Sequence, residues 1–401
     1  FARKSYFYPD LPKNYQISQY ELPLCEQGRL QIEVDGQSKD IRIRRIHLEE
    51  DTGKLTHVGE HSLIDFNRSG VPLMEIVSEP DIRSPAEARL YLTKLRTILR
   101  YLGVSTGNME EGAMRCEANI SLLPEGSARL GTKVEVKNLN SFRSVEQALA
   151  YEIERQARIL NEDGRIEQVT MGWDEARGVT VVQRSKEEAH DYRYFPEPDL
   201  PPLCLATQDL EALRARLPEL PDAKRQRFIA AYGLSLYNAS LLTGDRAVAE
   251  FFEACLAGYG DPTVVCNWIT GEVFRLLKAK ETTLEKSRLV PSGLVELLAM
   301  VDAGTINIAV AKEVLEVMFE TGAAPQQVVR ERELAQISDQ DELHRVVAEV
   351  IRANPKPVAD YLAGKQAAVG FLMGQVMKKT RGKANPNVVQ ELLREHLETL
   401  R

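Results

Sequence analysis

Three patterns predict an α+β fold, with a largely antiparallel sheet cradle at the front of the chain and helices behind it. Strand-like period-two alternation is concentrated in residues 1–217. Two helix-period stretches interrupt it without a regular strand–helix–strand rhythm. From Asp222 onward nearly all the periodicity is helical, punctuated by Gly and Pro.

In chain order, Ile41, Ile43, Ile46 and Leu48 alternate with polar residues, and the one-residue slip at Arg44-Arg45 predicts a bulge. A helix follows, with Ser84 as N-cap, Pro85 at its first position and Glu87 in capping-box position. Leu92, Leu95, Leu99 and Leu102 form its apolar stripe, and Gly103 ends it. Met114 through Leu122 then alternates without a break. Met114, Cys116, Ala118, Ile120 and Leu122 fall on one face, and Arg115, Glu117, Asn119 and Ser121 on the other. Val134 and Val136 alternate with Lys133, Glu135 and Lys137 as a further strand. A second helix, Ser144 to Leu160, carries Val145, Leu149 and Ile153 and closes at Asp163-Gly164, and Val179–Arg184 reads as a β-branched strand.

The proline run Pro196–Pro202, with Pro218 and Pro221 beyond it, breaks regular structure and bounds a first domain, residues 1–217. A helical domain, 218–333, leads into a polar, apolar-poor linker at about 330–341. The tail domain, 334–401, has helical stripes Val346/Val347/Val350/Ile351, Val369/Leu372/Met373/Val376 and Val389/Leu392/Leu393/Leu397.

The composition, 43% hydrophobic and 27% charged over 401 residues, is that of an ordinary globular protein. No apolar run is long enough to span a membrane. Five widely spaced cysteines form no CxxC pair, so neither a disulfide framework nor a zinc site is indicated, and a reducing cytoplasm fits. The net charge of −8 argues against a general nucleic-acid coat protein, although a local basic patch remains open. The start at Phe1, with neither Met nor a signal-like segment, leads us to expect a truncated product.

Several clusters offer chemistry. Arg45, His47 and Glu49 share a strand face, with Glu50 and Asp51 at its end. Trp173-Asp174-Glu175 places a carboxylate pair before a strand. Carboxylates from separate strands suffice for Mg²⁺, which keeps several waters; each cluster taken singly also reads as a solvated turn, and His47 alone as a hydrogen-bonded surface histidine. Arg115, Glu117, Asn119 and Ser121 give one face a cation, a carboxylate, an amide and a hydroxyl, the mixture a phosphate-and-metal site needs. Asp191–Asp199 interleaves aromatics with charges, which suits nucleotide stacking or a structural turn. Neither a Walker loop nor a GxSxG motif is present. In the tail, Lys378, Lys379, Arg381 and Lys383 form a basic cluster suited to phosphate contacts, or else a solvated loop.

Lys4–Asp10, Tyr15–Gln19, His47–Asp51, Asp65–Arg68, Val71–Val77, Glu111–Ser121, Lys137–Phe142 and Asp191–Leu203 together resemble the B subunit of the tRNA-dependent amidotransferases. These enzymes convert misacylated Asp-tRNA(Asn) or Glu-tRNA(Gln) to the amidated forms. The resemblance implies a cradle-shaped catalytic domain, ATP- and Mg²⁺-dependent phosphorylation of the aminoacyl carboxylate, and attack by ammonia channelled from a glutaminase subunit. The expected partners are that amidase (the A subunit of such complexes), their small C subunit, misacylated tRNA and the cognate non-discriminating aminoacyl-tRNA synthetase. Glu49, Glu50 and Glu175 carry over as Mg²⁺ ligands, Lys4 and Lys13 as channel-mouth residues, and Glu117 stands where the family usually has Asp. Arg115, Asn119, Lys137, Arg184 and Arg193 are assigned to the nucleotide. The family's earlier segment, with a His and a Glu for metal and cysteine pairs for zinc, is expected to be missing. The chain alone is expected not to hydrolyse glutamine, since it offers no recognisable activated nucleophile. The rival reading is a non-catalytic tRNA-binding adaptor; carboxylates converging from separate strands favour the enzyme.

Overall fold

The computed structural model describes all residues except 128, 186–191, 333, 335–339, 364, 381–383, 385 and 401. The chain forms two compact units, Phe1–Pro218 and Glu219–Arg401.

The first unit contains two main sheets. One runs β12 (Phe195–Pro196), β1 (Ala2–Ser5), β2 (Tyr15–Ser18), β4 (Gln37–Glu50), β3 (Cys25–Val34), with β7 (Pro72–Ser78) also pairing β4. All of its pairings are antiparallel. The β3–β4 hairpin turns through Asp35-Gly36, both at positive φ, the backbone that a two-residue turn requires. The second sheet runs β11 (Val179–Ser185), β10 (Val169–Asp174), β9 (Val134–Leu139), β8 (Cys116–Ile120). Here β9 and β10 are parallel, because α2 (Phe142–Asn161) crosses over between them. One strand–helix–strand unit is therefore present in a domain expected to lack that rhythm. A separate hairpin pairs β5 (Lys54–Val58) with β6 (His61–Asp65).

The expected bulge is present. Between β4 and β7 the register skips Arg44, so Ile43 faces Ser78 and Arg45 faces Val77. The extra residue resets the alternation. Ile41 and Ile43 stay in the core and Ile46 packs beside them, while Arg45, His47 and Glu49 turn to the opposite face.

The apolar faces of both sheets close on α1 (Pro85–Tyr101) and α2. Leu30, Ile32, Ile41 and Ile43 meet Val134, Val136, Met171 and Trp173 through Tyr91, Leu95, Val145 and Ala148. Ser84 caps α1 by accepting the Glu87 amide at 3.2 Å. The Glu87 carboxylate takes the Arg83 amide (2.7 Å) and Lys39 (2.7 Å), not the Ser84 amide that a capping box would use. On α2 the cap is Ser141, earlier than expected. Its buried face runs Val145, Leu149, Glu152 and Gln156, with Ile153 only half-buried. Glu152 tolerates full burial because Arg155, Gln156 and Thr180 all donate to its carboxylate.

After α3 (Thr207–Arg216), which buries none of its residues, the second unit is helical. Helices α4 (Pro221–Tyr232), α5 (Leu236–Thr243), α6 (Arg246–Leu256), α7 (Pro262–Trp268), α8 (Phe274–Ala279), α9 (Pro291–Asp302), α10 (Ile308–Thr321) and α11 (Pro325–Glu331) surround a core with Phe228, Phe252, Leu294 and Leu297 at its centre. Four more, α12 (Gln340–Ala353), α13 (Pro355–Leu362), α14 (Ala368–Lys379) and α15 (Pro386–Glu398), hold their own cluster of Val347, Leu372, Val376, Val389 and Leu393. Among the described residues no helix is long and apolar enough to cross a membrane.

Candidate functional site

Cross-strand pairing assembles a polar network on the open face of the first sheet. His47 on β4 lies directly opposite Glu75 on β7, and Glu49 lies opposite Ser18 on β2. The His47 Nε2 atom is 3.1 Å from Glu49 Oε1 and 3.5 Å from Glu75 Oε2. The Ser18 hydroxyl donates to Glu49 at 2.8 Å. The Gln16 amide spans Lys4 and Glu49, accepting from Lys4 Nζ and donating to the Glu49 carboxylate, both at 3.3 Å.

The two carboxylates of this network differ in character. Glu49 is partly buried, which opposes its charge, but hydrogen bonds from His47 and Ser18 outweigh that and hold its pKa below the usual range. Glu75 remains half open to solvent, yet partial desolvation and the neighbouring Glu49 charge hold its pKa above the usual range. Ligand atoms of His47, Glu49 and Glu75 all lie within 4.8 Å of one another. Two mutually repelling carboxylates beside a fully buried imidazole, whose Nδ1 has no hydrogen-bond partner among the described residues, suit a divalent cation.

Of the three expected metal ligands, only Glu49 sits in this group. Both carboxylate oxygens of Glu50 engage Lys13, at 2.5 and 2.6 Å, and its Oε1 also accepts the Ile17 amide. Glu175 lies in the turn between β10 and β11 and accepts from the Ser144 hydroxyl at 3.2 Å. His47, read from sequence as a surface histidine, is hydrogen-bonded but fully buried, because the bulge sets it between β2 and β7. Glu75 escaped sequence reasoning although it lies within Val71–Val77, where Glu75 alternates with the core-packed Ile76.

Aromatic rings wall the network. Tyr20 stacks on Tyr194 with centroids 5.5 Å apart, and the Arg45 guanidinium lies 4.0 Å from the Tyr20 ring centroid. Lys4 lies over Tyr192 at 4.6 Å.

On β8 the expected alternation holds from Met114 to Ile120: Met114, Cys116, Ala118 and Ile120 are more buried than Arg115, Glu117 and Asn119, but the strand proper is only Cys116–Ile120, and Ser121 and Leu122 lie beyond it with equal, intermediate burial. Glu117 pairs with Lys137 at 3.0 Å. Burial pulls the Lys137 pKa down, but Glu117 outweighs it through charge and hydrogen bond and holds it above the usual value. Asn119 faces Glu135 across the ladder. Arg115 is bound to Asp51, with Nη2 at 2.9 and 2.7 Å from its two oxygens. Arg193 has a left-handed backbone, φ 43°. Arg184 lies on β11 opposite Thr170; its side chain is outside the described residues. In the second unit, Lys378 and Lys379 end α14, with Lys379 paired to Glu349. Arg381 and Lys383 lie outside the described residues.

The sequence matches the GatB/GatE catalytic domain over residues 1–211 and the GatB domain over 250–397. It is 55% identical to the B subunit of the aspartyl/glutamyl-tRNA(Asn/Gln) amidotransferase of Carboxydothermus hydrogenoformans, over 100% of this chain and 84% of that protein. The protein of the same name from Moorella thermoacetica is 56% identical over 99% of this chain and 84% of its own length. For Thermomicrobium roseum the figures are 55%, 99% and 83%. With two family domains matched in order and identity sustained along the whole chain, this protein belongs to the family of amidotransferase B subunits.

Proposed function

We propose that the first unit activates the side-chain carboxylate of misacylated Asp-tRNA(Asn) or Glu-tRNA(Gln) with ATP and directs ammonia onto it. The observation that carries this reading is the convergence of His47, Glu49 and Glu75 beside Lys4, on the same open face as the Tyr20–Tyr194 stack. In this reading Glu49 and Glu75 hold Mg²⁺, with His47 beside them and Glu50 and Glu175 as further acidic positions. When bound, the cation supplies electrostatic stabilisation of the transferring phosphoryl group.

The chain's own residues do the positioning. Arg115, Asn119, Lys137, Arg184 and Arg193 hold the nucleotide phosphates and base, and Tyr20 and Tyr194 offer a stacking platform for a base. A side-chain carboxylate oxygen attacks the γ-phosphorus and ADP leaves, giving an acyl phosphate. Ammonia then attacks the acyl carbon and inorganic phosphate departs. In this reading Lys4 offsets negative charge on the phosphoryl oxygens, and Lys13, paired with Glu50, and Glu117, paired with Lys137, serve the incoming amine.

Ammonia comes from the glutaminase, the complex's A subunit, assembled with this chain and a small C subunit. The cognate synthetase is a further partner, and the tail, 334–401, binds the tRNA body through Lys378, Lys379, Arg381 and Lys383. Five free cysteines accord with a reducing, cytoplasmic setting. The test uses assembled complex with an inactivated glutaminase and ammonium as nitrogen donor. ATP turnover should depend on misacylated tRNA and should fall by at least about 10²-fold in Glu49→Gln. Turnover unaffected by that substitution would return the chain to a binding role.

A further inference from the structure

From the geometry around Asp51 we infer that this residue is a positioning residue that fixes the Arg115 guanidinium for an anionic phosphate ligand. The inference rests on the ATP-dependent reading and deepens it. Asp51 follows the last residue of β4 and is 2% exposed. Its backbone is tied on both sides, its amide donating to the Val71 carbonyl at 2.8 Å and its carbonyl accepting from Gly70 at 2.9 Å. Its two carboxylate oxygens accept four hydrogen bonds: Arg68 Nε at 3.0 Å, Arg115 Nη2 at 2.9 and 2.7 Å, and the Thr52 amide at 3.0 Å. That fills the acceptor capacity of an ionised carboxylate. One buried anion thus holds two arginines, and the group carries an excess positive charge.

The excess charge faces outward. Arg68 spends Nη1 on the Glu111 carbonyl at 3.2 Å. Arg115 commits Nη2 alone; its Nε and Nη1 make no hydrogen bond among the described residues, and 55% of its side chain is open to solvent. It precedes β8 on the same face as Glu117, which pairs with Lys137. A guanidinium anchored through one nitrogen, with further donors in a fixed plane, is preorganised to take phosphate oxygens. A lysine at this position would keep the charge but lose the plane. Asp51 therefore acts through Arg115, lowering the ordering cost of the arginine before any ligand arrives.

The experiment compares Arg115→Ala, Arg115→Lys, Asp51→Asn and Asp51→Asn/Arg115→Ala in the assembled complex. Two quantities are read: the Kd of a non-hydrolysable ATP analogue, and kcat for ammonium-dependent amidation. Circular dichroism and thermal midpoints report folding. Asp51→Asn is expected to weaken analogue binding about tenfold and to lower kcat by up to about 10²-fold, the scale of a misplaced catalytic contact. Arg115→Lys should lose nearly as much as Arg115→Ala, and the double variant no more than Arg115→Ala alone. If Arg115→Ala is impaired while Asp51→Asn binds and turns over like the parent, or changes only its thermal midpoint, the positioning role is wrong. If Asp51→Asn fails to fold, a fully active Arg115→Lys overturns the inference unaided. If Arg115→Ala itself binds the analogue and reacts normally, the ATP-site reading of this face fails, and the inference fails with it.

Discussion

At the scale of single residues, electrostatic roles on the open face follow from what each carboxylate touches. Glu49 is held ionised by His47 and Ser18, whereas Glu75 carries its charge against the repulsion of Glu49. Replacing Glu75 by Gln should cut tRNA-dependent ATP turnover by about 10²-fold or more while the complex's glutaminase rate stays unchanged, a comparison made on one preparation. A different pair governs acid stability. Arg3 forks onto Glu197 with two hydrogen bonds of 2.8 Å, and this pairing holds the Glu197 pKa at about 2, well below its ordinary 4.5. Because the folded-state pKa is depressed, the pair's contribution is fully present above about pH 4.5 and is lost as the pH falls towards 2. Arg3→Gln should therefore be less stable than the parent at pH 7, with the difference shrinking in acid. Urea midpoints across that pH range measure it, and a constant difference would show that the ion pair is not the cause.

At the scale of elements, the bulge in β4 decides which side chains reach the open face. Uninterrupted alternation from Ile41 and Ile43 would put Arg45, His47 and Glu49 into the core; skipping Arg44 sends them to the open face, opposite Ser18 and Glu75. The helix caps contribute stability without chemistry. Ser141→Ala should cost about 1 kcal/mol in denaturant unfolding, with ATP turnover little changed, because the hydroxyl satisfies the first turn of α2. A large loss of turnover would mean that the Ser141–Ser144–Glu175 chain of hydrogen bonds reaches the reacting groups. These elements also mark how far the sequence was readable. The bulge, the cap at Ser84 and the β8 alternation were legible because each depends on neighbours within a few residues. The β9–α2–β10 crossover and the His47–Glu75 pairing were not, since both depend on which strands become neighbours, and local periodicity carries no such information. Burial of Glu152 on α2 was hidden for the same reason: its partner Thr180 comes from another element.

For the whole molecule, the proposed reading puts the chemistry in the first unit and tRNA capture in the tail of the second. Removing residues 334–401 should weaken tRNA binding and flatten its salt dependence, by a log-log slope of roughly 0.7 to 0.9 for each phosphate the tail would have neutralised, leaving glutamine hydrolysis intact. Equal affinity with an unchanged slope would make the tail a structural appendage. The isolated chain should hydrolyse no glutamine, since among its residues none is recognisable as an activated nucleophile. The central claim, that a carboxylate of the aminoacyl group is phosphorylated before amidation, is tested most directly by isotope transfer. The assembled complex, its glutaminase inactivated and ammonium supplied, is given tRNA charged with aspartate or glutamate whose side-chain carboxylate carries oxygen-18. One labelled oxygen is expected in the inorganic phosphate for each amide formed; amide formation with unlabelled phosphate would contradict the acyl-phosphate route.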